Sequence, residues 1–345
     1  MKLGRFLKAC DYTGLDAPLP DTPARLSTTC ASAMEGWLLL YGLEKHDEFR
    51  EEAIRCAELL MAEQTEQGMW LSPFPFRRNP PSHPYACENF LTLRPLIHFY
   101  DRMGRETGGH RVRLAVERGL QGLVAHIGYR ADGCFWYSPT DQIEVPNISS
   151  MAAATFAEAC QVLHLDHLAA PARLCAAYCV RQQRPDGGYR YFSDQEFVYV
   201  PYHALEIWEL GDANQVLREQ ELEQSLQRAV HFMDRYLELR SYRSRDDERG
   251  RRSKLLFKTP VWMARAYLSR GRHEKAWAHL DRGMRMFGMP GGDSYYYYLR
   301  EKRTLGWLRR RRPDLGSVYM RYNASCFETG CRLLAVLGGA LDRGL

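Results

Sequence analysis

The sequence predicts an all-α protein whose residues 1–345 form one domain, a closed (α/α)6 toroid. Two observations support this: an apolar helical segment recurs about every 57 residues, and after each of the first five a helix with one charged face follows. The six apolar segments begin near Cys30, Cys87, Asn147, His203, Thr259 and Asn323. An open solenoid of the TPR type has a shorter repeat of roughly 34 residues, so a ring of six inner helices is favoured.

The second helix of each repeat is predicted from apolar residues that recur at three and four positions, which is typical of an amphipathic helix. These outer helices are expected near Asp47–Gln67, Gly109–Ile127, His167–Gln183, Glu221–Leu239 and Glu274–Phe287. The sixth inner helix has no outer partner after it. We expect the N-terminal segment, Met1–Tyr12, to supply that partner, so the toroid has five to six outer helices.

Composition and cysteine spacing favour a cytoplasmic protein. No apolar run reaches the roughly 18 to 20 residues of a membrane span, and the first residues lack the apolar core of a secretory signal. The 10 cysteines include no Cys-x-x-Cys pair and are expected to be buried free thiols. We therefore predict no metal site, no cofactor and no transmembrane segment.

Positive charge is concentrated in the last third of the chain. Residues 240–321 contain 22 Lys and Arg against 8 Asp and Glu, although the whole chain has a net charge of only +5. Such a region can face a polyanion, a phosphate or an anionic membrane, or its arginines can simply cover apolar surface and pair locally. No nucleic-acid-binding motif accompanies it, so nucleic acid is not predicted as a partner.

The long loops precede the inner helices, so the functional end of the ring is predicted at the N-terminal ends of those helices. Several of the loops contain an Asp-Gly turn followed by aromatic residues, as in Asp132–Tyr137 and Asp186–Phe192. Such turns either brace neighbouring repeats or project aromatic rings toward a sugar or an isoprenoid chain. The substrate-binding candidates are Trp70, Trp136, Tyr191, Tyr202, Tyr296, Arg321 and Tyr322.

Three residues near the inner-helix starts are candidates for acid and base catalysis. A histidine ordinarily titrates near neutral pH, so His203 is the leading candidate for an acid or base, and Glu88 or Glu144 is its possible acidic counterpart. The competing interpretation of His203 is a buried structural histidine with satisfied hydrogen bonds. Glu206 and Glu328 also lie about one turn inside the ring, whereas Asn147, Thr259 and Asn323 are expected as helix N-caps.

One stretch resembles a known family. Gln183–Tyr191 and Val200–Glu206, together with Glu144–Ile148, resemble segments of the VpsJ-like exopolysaccharide biosynthesis proteins. Tyr189 stands where that pattern has Trp, and Ala204-Leu205 follow His203 in place of Thr-Gly. The Asp-Gly-aromatic turn is also similar, more loosely, to the repeat brace of terpenoid cyclases and protein prenyltransferases. The Asp-x-Asp-Asp acid motif of the protonating cyclases is absent from the sequence, and the Asp, His and Cys zinc ligands of the prenyltransferases cannot be placed in it.

Three classes of function follow from these observations. The first is a carbohydrate-active protein of exopolysaccharide biosynthesis that acts on an anionic or neutral oligosaccharide, by acid–base chemistry on an acidic glycan. The second is a terpenoid-cyclase-like enzyme that encloses an isoprenoid diphosphate. The third is a non-catalytic scaffold that binds a glycan or a protein. A water-filled opening at the end of the ring with paired carboxylates would favour the carbohydrate-active protein. An aromatic cavity without water would favour the terpenoid-cyclase-like enzyme, and a ring filled by its own side chains would favour the scaffold.

Overall fold

The computed structural model describes residues 27–73, 79–104, 108–246, 254–288 and 314–341, which form two layers of helices. The inner helices are α1 (Ser27–Glu44), α3 (Ala86–Met103), α5 (Pro146–Leu163), α7 (Val200–Leu217), α9 (Lys258–Ser269) and α11 (Asp314–Leu341). The outer helices are α2 (Asp47–Glu63), α4 (Gly109–Gly122), α6 (Ala169–Arg181), α8 (Gln220–Arg240) and α10 (His273–Phe287). A π-helical turn, Leu123–Ile127, continues α4, and a 3-10 turn, Asp166–Leu168, precedes α6.

The six inner helices close into a ring, as the repeat predicts. Each packs against the next inner helix, and α11 packs against α1 to complete the circle. Each outer helix packs against the inner helix that precedes it in the chain. The segment expected to supply a sixth outer helix, residues 1–12, lies outside the described residues.

The predicted helix bounds need two corrections at the inner-helix starts. The last inner helix begins at Asp314, well before the predicted Asn323. The N-cap prediction was also wrong, because Asn147 and Thr259 lie inside the first turns of α5 and α9. Val145 and Phe257 occupy the cap positions there, and neither helix has a side-chain cap hydrogen bond.

The glycine-containing turns between outer and inner helices fit against the backbone of the following repeat. Gly68, Gly133 and Gly187 all have positive φ values, from 82° to 95°. A Cβ atom at each would lie 2.1 to 2.3 Å from a carbonyl oxygen of the next outer helix. Only glycine fits both this conformation and this approach, so these turns are repeat braces.

A second contact, repeated three times, joins each turn to the next inner helix. The backbone N–H of the aromatic residue two positions after the glycine donates to the fourth residue of that helix. The pairs are Trp70 with Asn89 Oδ1 at 2.8 Å, Phe135 with Ser149 Oγ at 2.9 Å, and Tyr189 with His203 Nδ1 at 3.2 Å. The bracing interpretation of these turns is therefore confirmed.

Short strands complete the loop layer. Antiparallel β1 (Leu71–Ser72) pairs with β2 (His83–Pro84), and β3 (Val198–Tyr199) pairs with β4 (Arg245–Asp246). Among the described helices, none combines the length and the apolarity that crossing a bilayer requires.

Candidate functional site

Aromatic side chains gather at the N-terminal ends of α7 and α9. The rings of Tyr191 and Tyr202 stack with centroids 5.3 Å apart and planes 5° apart. Tyr199 and Trp262 also lie against Tyr202, at centroid distances of 5.1 and 5.6 Å. Partly exposed rings at the end of a ring of helices offer flat faces on which a sugar can stack.

Lys258, the first residue of α9, places its amine among these rings. Its Nζ lies 4.2 Å from the centroid of the Tyr202 ring and 5.2 Å from that of Trp262. Only 3% of the residue is exposed. Burial, with repulsion from Arg321, lowers the pKa of Lys258 to about 7. An amine with this pKa is partly neutral at neutral pH and can accept a proton.

Glu88, near the start of α3, supplies a carboxyl group at the same end of the ring. Burial raises its pKa, although Arg321 and a hydrogen bond with Ser72 partly oppose the shift. Arg321 also acts on Lys258 and on Cys87, beside Glu88. The Cys87 thiol in turn partly opposes the lowering of the Lys258 pKa. We term Glu88, Tyr202, Lys258, Trp262 and Arg321 the mouth.

Below the mouth, charged side chains from all six inner helices fill the centre. This central charge ring consists of Glu35, Arg94, His98, Glu158, Glu209, Asp212, Arg265, Glu328 and Arg332. Arg94 pairs with Glu158, Glu209 and Asp212, and thereby connects α3 to α5 and α7. On the other side, Arg332 bonds to Glu35 at 3.0 Å and to Glu328 at 3.1 Å.

His98 connects two carboxylates within the charge ring. Its Nδ1 lies 3.0 Å from Glu35 and its Nε2 lies 3.1 Å from Glu158. Burial alone lowers the pKa of His98, but these two carboxylates raise it to about 9. His98 is therefore an imidazolium at neutral pH, and both ring N–H groups donate.

Glu209 is the carboxyl group of this cluster that does not stay fully ionised. Burial raises its pKa to about 7 despite the nearby Arg94 and Arg265. Its Oε1 has no hydrogen-bond partner within the described part of the chain. A cavity of about 30 Å³ adjoins it, between the charge ring and the mouth. That volume accommodates about one water molecule and no sugar ring, so a substrate has to bind above it.

Four predicted residues lie together at this end of the ring: Glu88, Tyr191, Tyr202 and Arg321. Glu328 belongs to the charge ring and pairs with Arg265. Glu206 is buried, and burial raises its pKa well above the ordinary value. It acts on Cys179 and Tyr189, on the side of α6.

His203 lies elsewhere, between α7 and α8. Its Nδ1 accepts the Tyr189 N–H, and its Nε2–H donates to the Ala229 carbonyl at 3.0 Å. Burial lowers its pKa to about 4. Its ring is therefore neutral at neutral pH. In the repeat brace it takes the place that Asn89 and Ser149 have in the earlier repeats, and both of its nitrogens are already hydrogen-bonded. Its catalytic role stays a prediction that we do not carry forward.

The other candidates also have structural partners. Trp70 is 1% exposed, and its indole N–H donates to the Leu60 carbonyl at 2.7 Å. Glu144 forms an ion pair with Arg130, whose guanidinium lies 5.6 Å from the centroid of the Trp136 ring. Tyr296 lies outside the described residues, as does the side chain of Tyr322.

Sequence reasoning missed most of the charge ring. Arg94, His98, Glu158 and Arg265 are single polar residues in the middle of apolar helices, and the sequence does not show which of them meet. The available signal was their depth, two to three turns into helices that are otherwise apolar. Within the described ranges, no three His, Cys, Asp or Glu side chains are grouped so as to hold a metal ion.

The sequence matches no protein-family model and no curated protein. The fold is similar to that of solved sugar-processing enzymes. For a cellobiose 2-epimerase from Spirochaeta thermophila the TM-score is 0.70 at 10% identity, covering 93% of this chain and 89% of the epimerase. For a sugar epimerase from a ruminal bacterium the TM-score is 0.69 at 11% identity, covering 100% and 96%.

A glycoside hydrolase of family 105 from C. acetobutylicum aligns with a TM-score of 0.65 at 12% identity, over 96% of this chain and 99% of the hydrolase. At these identities the likeness shows the fold, an α/α toroid that carbohydrate-active enzymes share. Function has to be argued from the site itself.

Proposed function

We propose that this protein binds an acidic carbohydrate at the mouth of the toroid and modifies it by acid–base chemistry. One observation carries the proposal: the mouth combines a buried carboxyl group of raised pKa with a buried amine of lowered pKa. Groups whose surroundings push their pKa values toward neutrality are typical of catalytic acids and bases. In this scheme Glu88, whose pKa burial raises, is the acid that donates a proton, and neutral Lys258 is the base that accepts one.

The remaining mouth residues fit binding roles. Tyr202, which is partly exposed, presents a ring on which a sugar can stack, with Trp262 packed against it, and Arg321 can pair with a carboxylate of the substrate. The resemblance to VpsJ-like proteins suggests the cellular role, namely exopolysaccharide biosynthesis or modification in the cytoplasm. The likeness in fold to sugar epimerases and a glycoside hydrolase supports a carbohydrate as the substrate.

The isoprenoid alternative has less support. Enclosing an isoprenoid requires a large apolar cavity, whereas the interior described here holds ion pairs and a cavity of about 30 Å³. The scaffold alternative agrees with the filled centre of the ring. It does not account for a buried amine and a buried carboxyl group at the mouth, where removing either from water is unfavourable.

The test combines binding and turnover. Purified protein is incubated with uronate-containing and neutral oligosaccharides and with a prenyl diphosphate, and thermal shift and proton NMR of the sugars are recorded. We expect a thermal shift and spectral change with uronates only. We expect Glu88→Gln and Lys258→Met to lower turnover about 100-fold or more, with Glu44→Gln, an exposed carboxylate, as the matched control.

The pH profile distinguishes the two roles. Turnover should rise with pH through about 7 as Lys258 loses its proton, and Lys258→Arg should remove that limb. A thermal shift without turnover by any sugar would favour the scaffold. A shift with the prenyl diphosphate alone would favour the isoprenoid alternative.

A further inference from the structure

A second concave surface lies on the outside of the toroid, away from the mouth. It is a groove of about 610 Å³ between α8 and the loop that begins at Pro185. We term it the outer groove. Its charged lining consists of Arg228, His231, Arg235, Arg240, Asp186 and Asp246.

Three of the basic residues form one stripe along α8. Arg228, His231 and Arg235 follow at intervals of three and four residues, so they share one face of the helix. All three are exposed. At a rise of 1.5 Å per residue, the two arginines start about 10 Å apart along the helix axis. This arrangement matches a ligand with repeated negative charges rather than a single anion.

The carboxylates of the groove are already paired with other cations. Asp186 pairs with Arg184, and Asp246 lies 3.6 Å from the same guanidinium and 3.9 Å from Arg240. Arg228, in contrast, donates to the neutral amide oxygen of Gln183 at 2.8 and 3.1 Å.

Within the part of the chain that the structure describes, no carboxylate pairs with Arg228, His231 or Arg235. No ion pair therefore neutralises these three side chains directly, and the amide of Gln183 holds Arg228 in place.

The floor of the groove distinguishes between anionic polymers. Phe232 and Tyr236 are 7% and 3% exposed, so neither ring offers a free face for a nucleic-acid base. Gln227 lines the groove and can exchange hydrogen bonds with sugar hydroxyl groups. Charge without exposed aromatic faces favours an acidic polysaccharide over a single-stranded nucleic acid.

We infer that the outer groove is a binding site for an acidic polysaccharide, separate from the mouth and independent of any chemistry there. Arg228 and Arg235 pair with carboxylate groups of successive sugars, and Gln227 contacts their hydroxyl groups. Such a site holds a polymeric chain on the toroid by charge, and its affinity falls as salt screens that charge.

The experiment measures binding of a fluorescein-labelled oligogalacturonate by anisotropy at low and moderate salt. The unlabelled competitors are a neutral maltooligosaccharide of the same length and a single-stranded oligonucleotide of the same charge. The test protein is the Arg228→Gln/Arg235→Glu double variant. Arg111→Glu, which reverses an exposed charge on α4, is the matched control, and Lys258→Met reports on the mouth.

We expect the double variant to bind the uronate about tenfold or more weakly and with less salt dependence. Arg111→Glu should bind like wild type, Lys258→Met should retain the salt-dependent binding at the groove, and only unlabelled uronate should compete. Equal binding by wild type and the double variant, or loss of binding in Lys258→Met alone, would overturn the proposal. Stronger competition by the oligonucleotide would assign the groove to nucleic acid instead. Absence of turnover of every uronate by the wild type, with uronate binding at the outer groove retained, would reject the proposed function and leave this site standing.

Discussion

Replacing Arg94 by leucine should destabilise the fold by about 3 to 5 kcal/mol. The Arg94 side chain is 4% exposed and pairs with Glu158, Glu209 and Asp212. Leucine fills part of the space but leaves three carboxyl groups facing one another without their shared cation. Loss of one partner from a buried ion pair is strongly destabilising because water cannot solvate the charge that remains.

The matched control is Arg55→Leu on the outer helix α2. Arg55 and Glu52 form an ion pair at 2.8 Å with side chains 35% and 32% exposed. Water and salt screen such a pair, so the same substitution should change the free energy of unfolding by about 0.2 to 1 kcal/mol. Comparing the two variants separates the effect of burial from the general effect of losing an arginine.

The assay is urea unfolding at pH 7 and again at pH 5, with the midpoint and slope fitted for each variant. Burial by itself raises the pKa of Glu158, but Arg94 and His98 hold it well below the ordinary value. That stabilisation is present above the unfolded pKa and is lost as pH falls. Between pH 7 and pH 5 the wild type keeps that stabilisation, whereas in the Arg94 variant the buried carboxyl groups are no longer held ionised and bind protons. The deficit of the variant should therefore be smaller at pH 5.

Two results would refute this reasoning. One is a loss of unfolding free energy in Arg94→Leu at pH 7 that differs by less than about 1 kcal/mol from the loss in Arg55→Leu, because Arg94 would then contribute no more than an exposed ion pair does. The other is a deficit that grows on acidification, since carboxylate repulsion has the opposite dependence on pH.

Three further predictions concern other positions. The pKa of His98 is about 9 in the folded protein, against an ordinary value of 6.5, so its stabilising effect is complete below pH 6.5 and is lost as pH rises to about 9. Urea unfolding across that range should show the free energy of unfolding falling by about 3 kcal/mol in the wild type and not in His98→Gln. His203→Ala should destabilise the protein by about 2 to 4 kcal/mol. His203→Asn keeps an acceptor for the Tyr189 N–H, so it should lose less stability. Lower turnover in the folded His203→Asn variant would indicate that this histidine takes part in the reaction after all. Gly187→Ala should lower the free energy of unfolding by about 2 kcal/mol more than Gly108→Ala does. Both glycines have a positive φ, but only a Cβ atom at Gly187 would meet a carbonyl oxygen, at 2.3 Å. Equal shifts of the melting temperature in the two variants would contradict this.

The architecture was predictable because it depends on patterns that recur in the chain. Apolar helices at a constant interval, each followed by an amphipathic helix, have few ways to bury their surfaces other than a closed double layer. The predicted second helix near 109–127, for example, appears as α4 with its π-helical turn. The Asp-Gly turns predicted a brace for a similar reason, since a glycine with positive φ and a following aromatic residue act locally.

The candidate site was predictable only in part. Glu88 and Arg321 were singled out because the ends of parallel inner helices share one side of the ring. The perturbed state of Lys258 was not predictable, because it results from three aromatic rings and an arginine that three different segments supply. His203 has the residue type of a catalytic base, but its neighbours make it part of a brace.

The sequence by itself determined the six inner helices, the alternation of apolar and amphipathic helices and the end of the ring where loops gather. These properties depend on residues near one another in the chain. Tertiary structure alone decided that Glu35 and Arg332, 297 positions apart, would bond through one buried charge ring. It also decided which titratable groups would be forced toward neutrality. Solvation and charge pairing depend on what surrounds a group in space, and a one-dimensional pattern does not contain that information.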